Sequence, residues 1–360
     1  MCLAPILIKN KSRMYKGKVD CLTHFHDTTS QYIYVSCGVC PQCLRKKQMY
    51  LVQRCQLESF DNYLFFATFT YSNDMLPSVN INGYTHYYAS VLDFQKMMKR
   101  VRKSPFFLRY TDIDGRCLVK YLYVTEYGTK RHRPHFHSIF FVPKSRFDNV
   151  YTPLSFEIDL RKLFLSEWKR NVGSSRAPIY LPLCDFTQKF SSCKVRSNFD
   201  FHFVNPCLSS GQESDVAFYV TKYCLKYDKW FEDKRKALYL NLPPDQYYDA
   251  MALLKPAVRY SKFFGVSESA KKYVRECINV HSSRSLYPLF RNPLTGQLFP
   301  MSPYLFNKFG TLQDKYDFYY RSQHPDSYDD SFHYSNIDYY EYVNKFDKFF
   351  RQDALIFSEY

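Results

Sequence analysis

The chain has 360 residues, 46% of them hydrophobic, so it can bury a sizeable core and is not a disordered tail. Fifty Lys and Arg against 34 Asp and Glu leave a net charge of +16, which favours an acidic partner, nucleic acid before an anionic membrane surface. No apolar run approaches the roughly 20 residues that span a bilayer, and the N-terminal basic residues follow a short apolar segment, the reverse of a signal peptide. We therefore expect a cytosolic protein with no membrane partner.

In chain order, residues 1–60 are cysteine-rich and basic, with "CGVCPQC" a knuckle that continues as a helix from Pro41 to Phe60. Tyr63 to Ser72 has the aromatic and β-branched content of a buried strand. "SNDMLPSVNINGYTH" reads as a loop, with Asn82-Gly83 a turn. Val91, Phe94, Met97, Met98 and Val101 have helical spacing, and Lys96, Lys99, Arg100, Arg102 and Lys103 fill the opposite face. That basic face is either plain solvation or a DNA contact. Arg116 to Gly128 and "HFHSIFFV" read as an antiparallel hairpin joined by "TKRHRP". "SFEIDLRKLFLSEWKRN" is an amphipathic helix, Asn198 to Val204 a further strand, and Asp215 to Tyr227 a helix with a Ser/Gly/acidic start. The order implies an α+β fold, an antiparallel sheet carrying helices on one face. Three regions are expected: 1–60, a central 61–230, and 231–360. The last holds a helix starting at "PPD", a tail rich in Tyr, Asp, Ser and Phe, and no clear chemistry.

The 34 Tyr and 33 Phe suit single strands, where bases stack and phosphates need countercharge, although ordinary core positions use the same residues. His135 and His137 are i and i+2 on a strand and share a face, so both imidazoles can hold one ion. Glu126, on the preceding strand, is within hairpin reach as a third ligand. A decoy pair, His24 and His26 in "THFHD", has no such carboxylate before it. Tyr219 and Tyr223 are i and i+4 on one helix face, flanked by Lys222 and Lys226. A phenol oxygen can attack a phosphodiester, and a nearby Lys stabilises the charge that develops. With 34 Tyr, about three such pairs arise by chance, so taken alone this pair reads equally as packing. Cys37, Cys40 and Cys43 supply three thiolates at C-x2-C-x2-C spacing. A structural zinc needs a fourth ligand, for which Cys2, Cys21 and Cys55 are candidates. Free thiols are the other reading, and the rest of an iron–sulfur pattern is missing.

In that order, "FATFTY", Glu126 with H-x-H, and the late Y-x-x-x-Y resemble the HUH endonucleases: rolling-circle initiators, relaxases and related transposases. With "MCLAPI", "CGVCPQCLRKKQ" and "RPHFHSIFF", the set over residues 1–228 is similar to the replication initiators of microviruses. The resemblance implies that His135, His137 and Glu126 hold Mg or Mn, and that Tyr219 and Tyr223 are nucleophiles assisted by Lys222. It also favours Cys2 as the fourth zinc ligand. It further implies nicking of single-stranded DNA at a phage origin, a 5′-phosphotyrosine link, a freed 3′-OH for rolling-circle synthesis and final religation. Host helicase and replication polymerase are the expected partners, in the bacterial cytoplasm. The rival readings are a zinc-stabilised single-strand binding protein without catalysis, a relaxase or transposase with the same chemistry, and a zinc hydrolase at the same triad.

Overall fold

A computed structural model of the chain describes residues 6–9, 32–35, 41–128, 131–184, 199–204, 229–281, 285 and 288–323. These fall into two compact units, one within Gly38–Ser267, the other combining the N-terminal ribbon with residues from Glu268 onward. The elements in order are β1 (Ile6–Lys9), β2 (Tyr32–Val35), α1 (Pro41–Ser59), β3 (Asn62–Phe69), β4 (Ser78–Ile81), β5 (Tyr84–Tyr87), α2 (Val91–Lys103), α3 (Pro105–Leu108), β6 (Lys120–Tyr127), β7 (Pro134–Pro143), α4 (Pro153–Glu167), β8 (Lys169–Asn171), β9 (Tyr180–Pro182), β10 (Phe199–Val204) and β11 (Val258–Tyr260). Between β10 and β11 lie helices Lys229–Asn241 and Pro244–Leu254.

The first unit is built on a five-stranded sheet of order β10-β3-β7-β6-β11, antiparallel throughout. The fold is thus α+β, as expected. β7 is central and paired on both sides, so nearly every residue of it is buried. Alternation then divides its side chains between two cores. Phe136, Phe140 and Val142 join Phe65, Phe69, Phe94, Phe156, Phe164 and Trp168 under α2 and α4. Ile139 and Phe141 join Leu64, Phe66, Leu122, Val124 and Cys55 under α1. Helices therefore cover both faces, where one was expected. The reason is that β3 and β7 are apolar at odd and even positions alike, which demands a cover on each side.

α2 begins at Ser90, whose hydroxyl accepts from the Asp93 amide, and buries Phe94, Met97, Met98 and Val101. Asp93 is itself buried and takes a two-pronged bond from Arg170, at 3.1 and 2.6 Å, together with the Tyr71 hydroxyl at 3.2 Å. Of the five basic residues on α2, Arg100 is structural: it binds Glu167 Oε2 at 2.9 Å and the carbonyls of Glu167 and Lys169. Arg102 lies over the Tyr121 ring at 5.3 Å. Lys96, Lys99 and Lys103 remain on the exposed face. The stretch read as a loop contains the β4–β5 hairpin. Asn82 (φ 50°) and Gly83 (φ 82°) make the tight turn that an Asn-Gly pair adopts.

Residues beyond 230 contribute to this unit, since β11 pairs β6 and the turn after β11 covers the α1 face of the sheet. Glu58 of α1 accepts from Lys120 Nζ (2.9 Å) and the Gly265 amide (2.7 Å), while Arg54 donates twice to the Phe264 carbonyl. Gly265 has φ +74°, and a Cβ there would lie 2.9 Å from Arg54 Cβ. In the second unit, β1 and β2 pair antiparallel. A helix Glu268–Glu276, a hairpin of Leu289–Arg291 with Leu298–Pro300, and helices Pro303–Phe309 and Leu312–Gln323 follow, the first and last tied by an Arg275–Asp314 ion pair. The loop expected at "HPDSYDDSFHYSN" lies outside the described residues.

Gly265 and Gly115 separate two costs of a side chain. Gly115 also has positive φ (+73°) but open space around it. Urea unfolding should show Gly115→Ala losing about 1–2 kcal/mol, from backbone strain alone. Gly265→Ala should lose about 2–4 kcal/mol, because overpacking against Arg54 adds to that strain.

Candidate metal centre

The β6–β7 register places Glu126 directly opposite His135 and Val124 opposite His137. Glu126, His135 and His137 therefore project from the α1 face of the sheet, at the end of the hairpin nearest its turn. The three ligand atoms converge. Glu126 Oε1 lies 2.6 Å from His135 Nε2 and 3.2 Å from His137 Nε2, and the two Nε2 atoms are 3.0 Å apart. Adjacent ligands of an octahedral ion with bonds of about 2.1 Å sit about 3 Å apart. The residues thus fit a divalent ion by spacing and by donor type, two imidazole nitrogens and one carboxylate oxygen. Among the described residues, this is the one grouping of three such side chains.

Contacts behind the ligands aim them. His135 Nδ1 is 3.0 Å from the Arg133 carbonyl, which can only accept. His135 therefore carries a proton on Nδ1, and Nε2 faces the centre. His137 Nδ1 meets Thr68 Oγ1 at 3.2 Å, across the register pair Thr68↔His137. Such outer partners set tautomer and ring orientation. The Arg133 backbone is held in turn by its guanidinium, which bonds Asn73 Oδ1 (2.6 Å) and the Tyr71 carbonyl. Phe66 lies against the His137 ring, with centroids 5.8 Å apart.

Glu126 and His137 are buried, and His135 is partly open at the rim. Burial alone would raise the Glu126 carboxyl, but hydrogen bonds and positive charge from the two histidines outweigh it and hold it down to about 2. Glu126 is therefore ionised across the working pH range and ready as an anionic ligand.

The other expected site residues are distributed differently. Tyr219, Tyr223 and Lys222, with the helix Asp215 to Tyr227, lie outside the described residues. So do Cys2, Cys21, Cys37 and Cys40, and the decoy His24 and His26. Cys43 is buried in the first turn of α1. Cys55 lies twelve residues later on the same helix, about 18 Å along its axis. It packs against Leu64 and Phe66 and so cannot join Cys43 on one zinc ion. Thr68 and Arg133 were missed as site residues. The available signal for Thr68 was a hydroxyl on the first of three strands that turned out to be neighbours.

Residues 64–228 match a family of replication-associated proteins of the ORF2 type. The chain is also 31% identical over 152 residues to "Replication-associated protein ORF2" of Spiroplasma virus 4, covering 39% of this chain and 44% of that protein. The match thus spans less than half the length of that relative. No solved structure gives a significant match. The region that matches the family contains the whole metal triad and the segment with both tyrosines. No helix among the described residues is long and apolar enough to cross a membrane.

Thr68→Val keeps the strand and removes the hydroxyl behind His137. Calorimetric titration with Mn²⁺ should show affinity falling about 10- to 100-fold, with the melting temperature of the ion-free protein little changed.

Proposed function

Taking residues 64–228 as a replication-associated domain of the ORF2 type, we propose that this chain initiates rolling-circle replication of a small single-stranded DNA phage by nicking and rejoining one strand at the origin. The observation that carries the reading is the convergence of Glu126, His135 and His137 inside the matching region.

A divalent ion held there, Mg or Mn, would polarise a non-bridging oxygen of the scissile phosphate. Glu126 supplies the negative charge that holds the ion, and Arg133 and Thr68 keep the imidazoles aimed. The phenol oxygen of Tyr219 or Tyr223 attacks phosphorus in line. The Tyr–O–P bond forms as the P–O3′ bond breaks, the phenol gives up its proton, and the leaving oxygen takes one to become a 3′-OH. Lys222 stabilises the charge that builds on the phosphoryl oxygens. The 3′-OH primes synthesis by a host polymerase, with a host helicase parting the strands in the bacterial cytoplasm. After one circuit the second tyrosine attacks the regenerated origin. The 3′-OH released by that cut then attacks the first phosphotyrosine, and resealing needs no nucleotide hydrolysis. Two nucleophiles are needed because one remains occupied throughout the first round.

Incubation with end-labelled single-stranded origin DNA and Mn²⁺, followed by a denaturing gel, tests this. A covalent 5′-linked band is expected, and Tyr219→Phe with Tyr223→Phe should abolish it. His135→Ala should reduce nicking about 100-fold or more while leaving most DNA binding, which is spread over many Lys and Arg. An undiminished adduct in the double Tyr variant would sink the reading.

A further inference from the structure

Beside the metal triad lies a basic and aromatic patch that the proposed mechanism does not use. Lys234, on the helix Lys229–Asn241, holds its ammonium 4.8 Å from the ring centre of Trp230 and 5.7 Å from that of Tyr127. Trp230 lies flat on His132, with centroids 4.2 Å apart and planes within 1°. Tyr127 follows the ligand Glu126 on β6, and His132 precedes the ligand His135 by three residues. The patch is therefore at the same end of the hairpin as the triad.

Lys234 is half-buried, and among the described residues it has no ion pair and no hydrogen bond. Two ring faces compensate part of its lost hydration, but no carboxylate does. Burial lowers its pKa to about 8, and its charge, after burial, also lowers that of the neighbouring His86. The cations here repel one another without an anion to answer them. A lysine serving the fold alone would gain from an acidic neighbour or from full solvation. What completes this patch is a compact anion arriving from outside, and in a chain of net charge +16 with stacked rings alongside, a nucleic-acid phosphate is the matching chemistry.

We propose that Lys234, roofed by Trp230 and Tyr127, seats a backbone phosphate of single-stranded DNA flanking the scissile one, and so acts as a positioning residue for the strand entering the metal centre. This rests on the proposed function, since it takes the triad as the place where the strand is cut.

Binding of a fluorescent oligothymidine, titrated against salt in EDTA, tests the idea without any contribution from the metal. Lys234→Met keeps length and packing and removes the charge. Affinity should fall about ten-fold, and the slope of log affinity against log salt should flatten by about 0.7, one phosphate contact on a single strand. Lys234→Arg should restore most of both. Lys236→Met, an exposed lysine of the same helix, should change both less. All variants should melt near the wild-type temperature. If wild type binds and Lys234→Met shares its affinity and slope, or Lys236→Met matches Lys234→Met, the inference fails alone. If wild type does not bind the oligothymidine at any salt, the proposed function fails with it.

Discussion

The register of β6 against β7 is the constraint on which the rest depends. Glu126 meets His135 because the two are direct partners across the hairpin. A slip of one residue would send both histidines to the opposite face, among Phe94, Phe136 and Trp168. On the other side of β7, the pairing of Thr68 with His137 depends on a second register. Both are pinned by the two cores, since each alternate residue of β3 and β7 has an apolar destination on its own side. The ion site is therefore a by-product of strand alignment, held by elements far stiffer than a loop.

The ring-rich composition follows from the same arrangement. A sheet covered on both faces needs large side chains at successive positions, and Phe65, Phe66, Phe69, Phe136, Phe140 and Phe141 supply them. Much of the aromatic excess is thus core. The positive charge is divided in the same way. Arg54, Arg100, Arg133 and Arg170 bind carbonyls and carboxylates that fasten helices and loops to the sheet, while Lys96, Lys99 and Lys103 stay on the surface. Counting basic residues therefore overstates how many are free to meet phosphate.

The hairpin, α1, α2, α4 and the triad were legible because each rests on local signals: period-two or helical spacing, a Ser cap, and two histidines on alternate residues after a carboxylate. The contribution of β11 to the sheet was not legible, because three residues carry no periodicity and their partner β6 is more than 130 residues earlier in the chain. The Glu58–Gly265 latch and the Thr68–His137 contact are long-range for the same reason. Cys55 looked like a ligand in the sequence, but a helix that runs unbroken from Pro41 to Ser59 carries it away from Cys43 and into the core.

Glu126, His135 and His137 carry the functional reading, so the measurement that bears on it most directly is the coordination of an ion by these side chains. Electron spin-echo modulation of Mn²⁺ bound to the protein reads nitrogen ligands. The account predicts coupling to two imidazole nitrogens, reduced to one in either His135→Ala or His137→Ala, with weaker binding in Glu126→Gln. Mn²⁺ bound equally well by wild type and all three variants, or bound without nitrogen coupling, would contradict it.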